Sequence, residues 1–338
     1  MHEKNDIKIL VDWLTFTIGF ECFLEDSVDN ADDIGETHEC ILRLASDVFG
    51  FNDLEFKPIN SIYGYTIRYA AGPNNNIRIA WGGNTKTIMF DLTGEGCRLY
   101  ESVNEKLDWY ELIKKVQKYR THNISRLDVA CDTFGLLDMG KLFKFTREKR
   151  YVSRFKSEPL VKMMREETID FGATTSRVML RIYNKSLERI CKAGVDAADV
   201  PENWIRLELQ LRNDGADSFI RSWQSTGNIS TAYYGLMSNQ LRFVKERNEE
   251  NPQRSILTPW WRKFLGNAEK IPMAYKGGLE YNLQSLQRYV FHQAGSSIRT
   301  WCELNDYDMD KFKELVKYRK LNERQRNLVD TMTAGADE

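Results

Sequence analysis

The stretch NISRLDVACD, Asn123–Asp132, decides how the rest of the chain is read. With side chains alternating along an extended backbone, Leu127, Val129 and Cys131 share one face, and Arg126, Asp128, Ala130 and Asp132 share the other. The first face is that of a strand laid on a core. The second lines up an arginine and two carboxylates where a solvated strand shows assorted polar residues. The device recurs twice. WIRLELQLR (204–212) sets Ile205, Leu207, Leu209 and Leu211 against Arg206, Glu208, Gln210 and Arg212. RVMLRIYNK (177–185) sets Val178, Leu180 and Ile182 against Arg181, Tyr183 and Lys185. Cross-strand ion pairs on a wet surface account for any one of these strands. Three with the same charge types at the same step point to a shared site.

Working outward, strand-like alternation also marks ILVDWLTFTI (9–18), YTIRYAA (65–71), NIRIAWG (76–82) and KTIMFDLTG (86–94), with turn signals in AGPNNN and GGN between them. Helical periodicity marks ECILRLASDVFG, DWYELIKKVQKYR, LDMGKLFKFTREK and DGADSFIRSWQS, the last opening on Asp214 as a candidate N-cap. From about residue 229 the strand signals stop, and TPWWRKFLGNAE, GLEYNLQSLQRYVFHQAG, SIRTWCEL and DMDKFKELVKYRKLNERQRNLVDTM read as helices. The pattern predicts an α+β fold: a mostly antiparallel sheet with helices packed on one face, then a helical C-terminal region. A charged, Pro-containing stretch near 245–257 sets the expected division at 1–250 and 251–338. An internal echo runs through the first part. GGNTKTIMFDLTG, a helix and ISRLDVACDTFG match GATTSRVMLRIYNK, a helix and WIRLELQLRNDG, as duplication or as chance.

The 338 residues are 42% hydrophobic and 29% charged, the composition of an ordinary globular protein, and no apolar run is long enough to span a membrane. MHEKNDIKILVDW lacks the apolar core of a signal peptide, and six scattered cysteines without a C-x-x-C pair predict reduced thiols in a cytoplasm. A net charge of −1 hides an asymmetry: residues 1–54 hold 13 Asp/Glu against 3 Lys/Arg, and the remainder 45 Lys/Arg against 36 Asp/Glu. The acid concentrates in Glu21–Glu39, a solvated loop or a segment beside a basic surface. The mildly basic body permits a nucleic-acid partner.

Clustered carboxylates suit a hard divalent cation, Mg²⁺ or Mn²⁺, and Asp128 and Glu208 with Asp132 or Glu188 are the candidate ligands. Arg126, Arg181, Lys185 and Arg206 suit a phosphate, or would orient those carboxylates. Tyr183 on the same face is a candidate nucleophile, or else a structural tyrosine bonded across the sheet. Together these describe strand transfer on a phosphodiester. Ser/His/Asp hydrolysis, a P-loop and a dinucleotide fingerprint all lack their motifs. Of the four histidines only His122 is placed to contribute. TPWWRKFLG offers Trp260, Trp261 and Phe264 for docking a helix or for stacking on unpaired bases. The lysines and arginines of KFKELVKYRKLNERQR form a solvated face or contact duplex phosphates.

DWLTFT (12–17), ISRLDVACD, RIYNKSLER (181–189) and WIRLELQLR, in this order, resemble the Rep_trans replication-initiation family, which includes rolling-circle plasmid initiators and MobT-type relaxases of conjugative elements. TPWWRKFLGNAEK and YVFHQAGSSI resemble the conjugative branch, and the likeness runs from about residue 9 to 300. It implies a Rep-like sheet and a metal-dependent enzyme that nicks one strand at an origin and stays bound through a 5′-phosphotyrosine. It also implies origin DNA, duplex and single-stranded, as partner, with a host helicase and a homodimer. Members often carry a tyrosine in a Thr-x-Tyr-x-Gly pattern before the RIY-K motif. Here that stretch is TIDFG, with Asp170 in the tyrosine's place. A non-catalytic origin-binding protein that kept the fold is the alternative.

Overall fold

The computed structural model describes residues 7–20, 34–47, 49–51, 54–60, 64–83, 86–104, 108–163, 167–193, 196–266, 290, 295–319, 321, 326 and 329–330. Most of the acidic stretch Glu21–Glu39 and nearly all of the helix expected over 278–295 lie outside these residues. Residues 1–274 form one compact unit and 275–338 a second.

In the first unit a ten-stranded antiparallel sheet runs in the order β2-β3-β4-β5-β1-β6-β11-β10-β9-β8. Its strands are β1 (Ile7–Gly19), β2 (Lys57–Pro58), β3 (Ile67–Ala71), β4 (Ile77–Trp81), β5 (Thr87–Leu92), β6 (His122–Phe134), β8 (Leu160–Lys162), β9 (Thr168–Phe171), β10 (Val178–Asn184) and β11 (Trp204–Arg212). Two short strands, β7 (Tyr151–Ser153) and β12 (Leu241–Phe243), pair separately. The predicted alternation decides which face is which. Leu127, Val129 and Cys131 of β6 and Leu207, Leu209 and Leu211 of β11 are fully buried in one continuous core. That core extends through Phe16, stacked on Phe90 at 4.8 Å with Phe49 edge-on at 5.2 Å. Each such side chain contributes about 1.5–3 kcal/mol on burial.

The helices of this unit are α1 (Ile34–Asp47), α2 (Gly94–Val103), α3 (Trp109–Gln117), α4 (Met139–Arg147), α5 (Lys185–Ala193), α6 (Asp214–Thr226), α7 (Ile229–Gln240) and α8 (Pro259–Leu265). Amphipathic stripes such as Leu112, Ile113 and Val116 of α3 and Phe219, Ile220 and Trp223 of α6 cover the apolar face of the sheet. Helix α6 is preceded by Asn213 at its N-cap, one residue before the expected Asp214, with no side-chain capping bond. Residues 245–257 lie inside the first unit, where Val244 bridges Leu257. In the second unit α9 (Gly295–Leu304) and α10 (Met309–Lys317) pack Trp301 against Phe312 at 5.4 Å.

The sheet has an approximate internal two-fold between β1 and β6. Both strands are 13 residues long, and each pairs with the last strand of a following three-stranded meander, β3-β4-β5 or β9-β10-β11. At the axis Leu14 faces Leu127, flanked by the pairs Trp13–Asp128 and Thr15–Arg126. The register slips once on each side, leaving Asp12 as the extra residue in β1 and Ser125 in β6. Thr93 donates its N–H to the Asn76 carbonyl at 3.0 Å, and Arg212 does the same to Arg177 at 2.9 Å. Three residues further on, Gly96 and Gly215 press against those same two carbonyls, where an added Cβ would stand 2.2 Å from oxygen. This two-fold sets β1 against β6 and β5 against β11, so it does not reproduce the echo read in the sequence. The sequence echo instead matched β6 with β11, which are neighbours in the sheet.

Candidate active site

On the opposite face of the sheet most of the charged residues are withdrawn from solvent. Asp128, Asp132, Asp170, Arg206 and Glu208 are all buried. A buried charge without a partner costs several kcal/mol, so each must be paired or meet a ligand. The pairing follows the strand register. Arg206 faces Asp132 across β11 and β6 and grips it with two bonds, Nε to Oδ1 at 2.7 Å and Nη2 to Oδ2 at 2.8 Å. Its third donor, Nη1, bonds Oδ1 of Asp12 at 2.8 Å. Arg181 faces Asp170 across β10 and β9 and bonds it at 2.8 Å. Arg126 bonds both oxygens of Asp128 at 3.0 Å, two residues along its own strand, and lies 3.8 Å over the Trp13 ring. Lys185 pairs with Glu188 one turn into α5.

A cleft of about 680 Å³ opens on this face, lined by Asp12, Arg126, Asp128, Arg181, Tyr183, Lys185, Glu188, Arg206 and Glu208 among others. Eight of the nine residues singled out in the sequence therefore share one cavity, and the ninth, Asp132, lies directly behind it through Arg206. His122 is exposed and bonded to the Tyr119 carbonyl, and it does not line the cleft.

Glu208 stands apart from the other acids because no ion pair holds it. Its Oε1 accepts from Gln210 at 2.7 Å and its Oε2 from the Tyr183 hydroxyl at 3.5 Å. Burial, and then the neighbouring Asp12, push its carboxyl above the usual range. Burial pushes the Asp128 carboxyl up to about 7, against the pull of Arg126, and Glu208 and Asp12 add to the rise. Burial followed by the charge of Glu208 raises the Tyr183 phenol as well. Arg206 keeps its charge despite burial because Asp132 and Asp12 surround it. The charge of Asp12 thus raises both Asp128 and Glu208, and Glu208 raises Asp128 further, which is the electrostatic condition a divalent cation relieves.

The donor set fits such an ion in part. Asp128 and Glu208 offer oxygen ligands of the kind Mg²⁺ or Mn²⁺ takes, and such ions are commonly held by one or two carboxylates plus water and substrate phosphate. Asp128 and Asp132 each give both oxygens to an arginine, Arg126 and Arg206, and Glu188 is occupied by Lys185, so a cation would have to share Asp128 with Arg126. Among the described residues no group of three or more His, Cys, Asp or Glu side chains forms a ready-made cage.

Asp12 was missed in the sequence. It sits at the β-bulge of β1, which turns it out of the strand alternation and toward Arg206. The signal was the break in period at Val11-Asp12-Trp13 inside DWLTFT. The aromatic cluster in TPWWRKFLG is core: Trp261 and Phe264 are fully buried, and the Trp261 indole N–H bonds the Leu241 carbonyl.

Comparison with known proteins was made against this geometry. The family described as replication initiation factor matches residues 122–318, and the rolling circle replication initiation protein N-terminal domain matches residues 28–115. The Bacillus subtilis (strain 168) protein described as "Putative DNA relaxase NicK" is 20% identical over 313 residues, 88% of this chain and 87% of its own length. The solved structure of a rolling circle replication initiator protein from Geobacillus stearothermophilus superposes with a TM-score of 0.61 at 28% identity, over 80% of this chain and 99% of that one.

Proposed function

Because the chain belongs to the replication initiation factor family, we propose that the cleft nicks and rejoins one strand of origin DNA, at a rolling-circle origin or a transfer origin of a mobile element. The observation that carries this reading is that Tyr183, Asp128 and Glu208 line one cavity beside six cationic side chains. The Tyr183 oxygen would attack the scissile phosphorus as the bond to the 3′ oxygen breaks, leaving a 5′-phosphotyrosine and a free 3′-OH. Glu208 Oε2 is the acceptor in contact with the phenol and the natural recipient of its proton. Arg181 and Lys185, with side chains 37% and 16% exposed, are placed to meet the phosphate. Arg206, tied through all three nitrogens, positions Asp12 and Asp132 instead. Asp128 and Glu208 would hold Mg²⁺ or Mn²⁺, which would neutralise the crowded carboxylates and favour the phenolate form. Asp170, in the place where relatives often carry tyrosine, is committed to Arg181, which leaves Tyr183 as the phenol of the cleft. Duplex and single-stranded origin DNA, a host helicase and a second copy of the chain complete the proposed partners.

A second reading is a protein that binds the origin without cutting it. The burial of Tyr183, 7% exposed, favours that reading. Supercoiled plasmid carrying the origin, incubated with protein and Mn²⁺, separates the two. Nicking predicts relaxed circles and a denaturant-resistant protein–DNA adduct, both lost in Tyr183→Phe and in Asp128→Ala. Tight origin binding with no adduct would favour the second reading.

A further inference from the structure

Of the six cations that line the cleft, Arg98 is paired with Glu101 and Arg189 has no carboxylate on it among the described residues. The other four, Arg126, Arg181, Lys185 and Arg206, each hold a carboxylate, which offsets part of their attraction for a phosphate backbone. Beside these cations the cleft offers two tryptophans, one toward each end. Trp13 pairs with Asp128 and Trp204 with Phe134 along β6, six residues apart, or about 20 Å at ~3.3 Å per residue. Glu208 and Arg206 lie opposite the intervening Ala130 and Asp132. Both indoles line the cleft and both are half-buried.

Each is held by its surroundings. The Trp13 N–H donates to Asp91 at 2.8 Å and to Thr15 at 3.0 Å, and Arg126 covers its ring. Trp204 is backed by Phe134 at 5.5 Å, and Val200 and Pro201 extend its apolar wall along the cleft. Among the described residues its indole N–H has no hydrogen-bond partner, and the residue is fixed by its backbone N–H, which donates to the Ser186 hydroxyl at 3.2 Å, with Arg206 6.0 Å over the ring. A rigid, half-open aromatic in a water-accessible cleft is a stacking surface, and every base has a face that fits one. Paired bases in a duplex present no such face.

Given the cleft as the DNA site proposed above, we infer that Trp204, with the Trp13–Arg126 stack toward the other end, grips unpaired bases flanking the scissile phosphate. The ligand is single-stranded DNA, gripped at its base faces as well as at its phosphates and with little sequence preference at Trp204.

The test uses the full chain and two labelled 12-mers, oligo-dT and an abasic deoxyribose-phosphate strand of the same charge, followed by fluorescence anisotropy. Trp204→Leu is expected to weaken dT binding about tenfold and abasic binding by less than about twofold. Trp204→Phe, which keeps an aromatic face and orphans no partner, is expected to stay within about threefold of wild type for both. Equal loss on both strands, or loss on neither, would overturn the inference, as would a Phe variant as weak as the Leu variant. The anisotropy is read without cleavage. A selective loss on dT in a protein that forms no adduct sustains the stacking role and removes the nicking one. An adduct together with equal binding losses does the reverse.

Discussion

Replacing Arg206 with Ala tests whether the polar face is a built constellation or a set of incidental surface pairs. Arg206 is buried with its side chain 8% exposed, and its partners Asp132 and Asp12 are 4% and 14% exposed. Removing it strands two carboxylates in the sheet, and breaking a buried pair from one side costs about 3–5 kcal/mol. The first unit spans 274 residues, and unfolding entropy of about 2.1 cal/mol/K per residue gives roughly 0.6 kcal/mol/K. The expected fall in melting temperature is therefore about 5–9 °C, read by circular dichroism at pH 7.5. Asp132→Asn combined with Arg206→Met, which empties the pair from both sides, should recover much of that loss. A melting temperature for Arg206→Ala within about 2 °C of wild type would refute the buried network, since exposed pairs contribute only about 0–1 kcal/mol.

Asp128, with its carboxyl raised to about 7, holds in the folded protein a proton that the unfolded chain has released. Stability should therefore fall as pH rises from about 4 to about 7, and Mn²⁺ should raise the melting temperature more at pH 7.5 than at pH 5.5. Asp128→Asn should flatten both trends, and a Mn²⁺ effect independent of pH and of Asp128 would count against a cation there. Trp261→Ala, in the core at the Leu241 carbonyl, should cost about 3–5 kcal/mol by denaturant titration, whereas a surface stacking residue would cost almost nothing. Gly96→Ala and Gly215→Ala should each destabilise by about 1–3 kcal/mol or more, because the new methyl meets a backbone carbonyl. Unequal costs would weaken the case for the internal two-fold.

The strands carrying the site were legible because their apolar faces obey period two without interruption. The same alternation puts Tyr183, Asp128 and Glu208 on one side. Alternation does not say whether the polar side is wet. Here it is largely buried, and that turns ordinary-looking ion pairs such as Arg206–Asp132 into a scaffold. Asp12 escaped because a bulge breaks the period that a sequence pattern depends on. The tryptophans of TPWWRKFLG drew attention by their density, yet they fill the core around Phe243, at 5.0 Å from Trp261. Isolated Trp13 and Trp204 line the cleft instead. β12 went unseen because three residues carry no period, and its pairing with β7 is a tertiary contact.

The proposed mechanism turns on Tyr183 as the phenol that takes the DNA. Trypsin digestion of the adduct formed with nicked origin DNA, after nuclease trimming, would release the peptide Ile182–Lys185 between Arg181 and Lys185. Mass spectrometry should find that peptide carrying a nucleotide on Tyr183. A nucleotide on any other residue, or nicked circles with no protein attached, would contradict the mechanism.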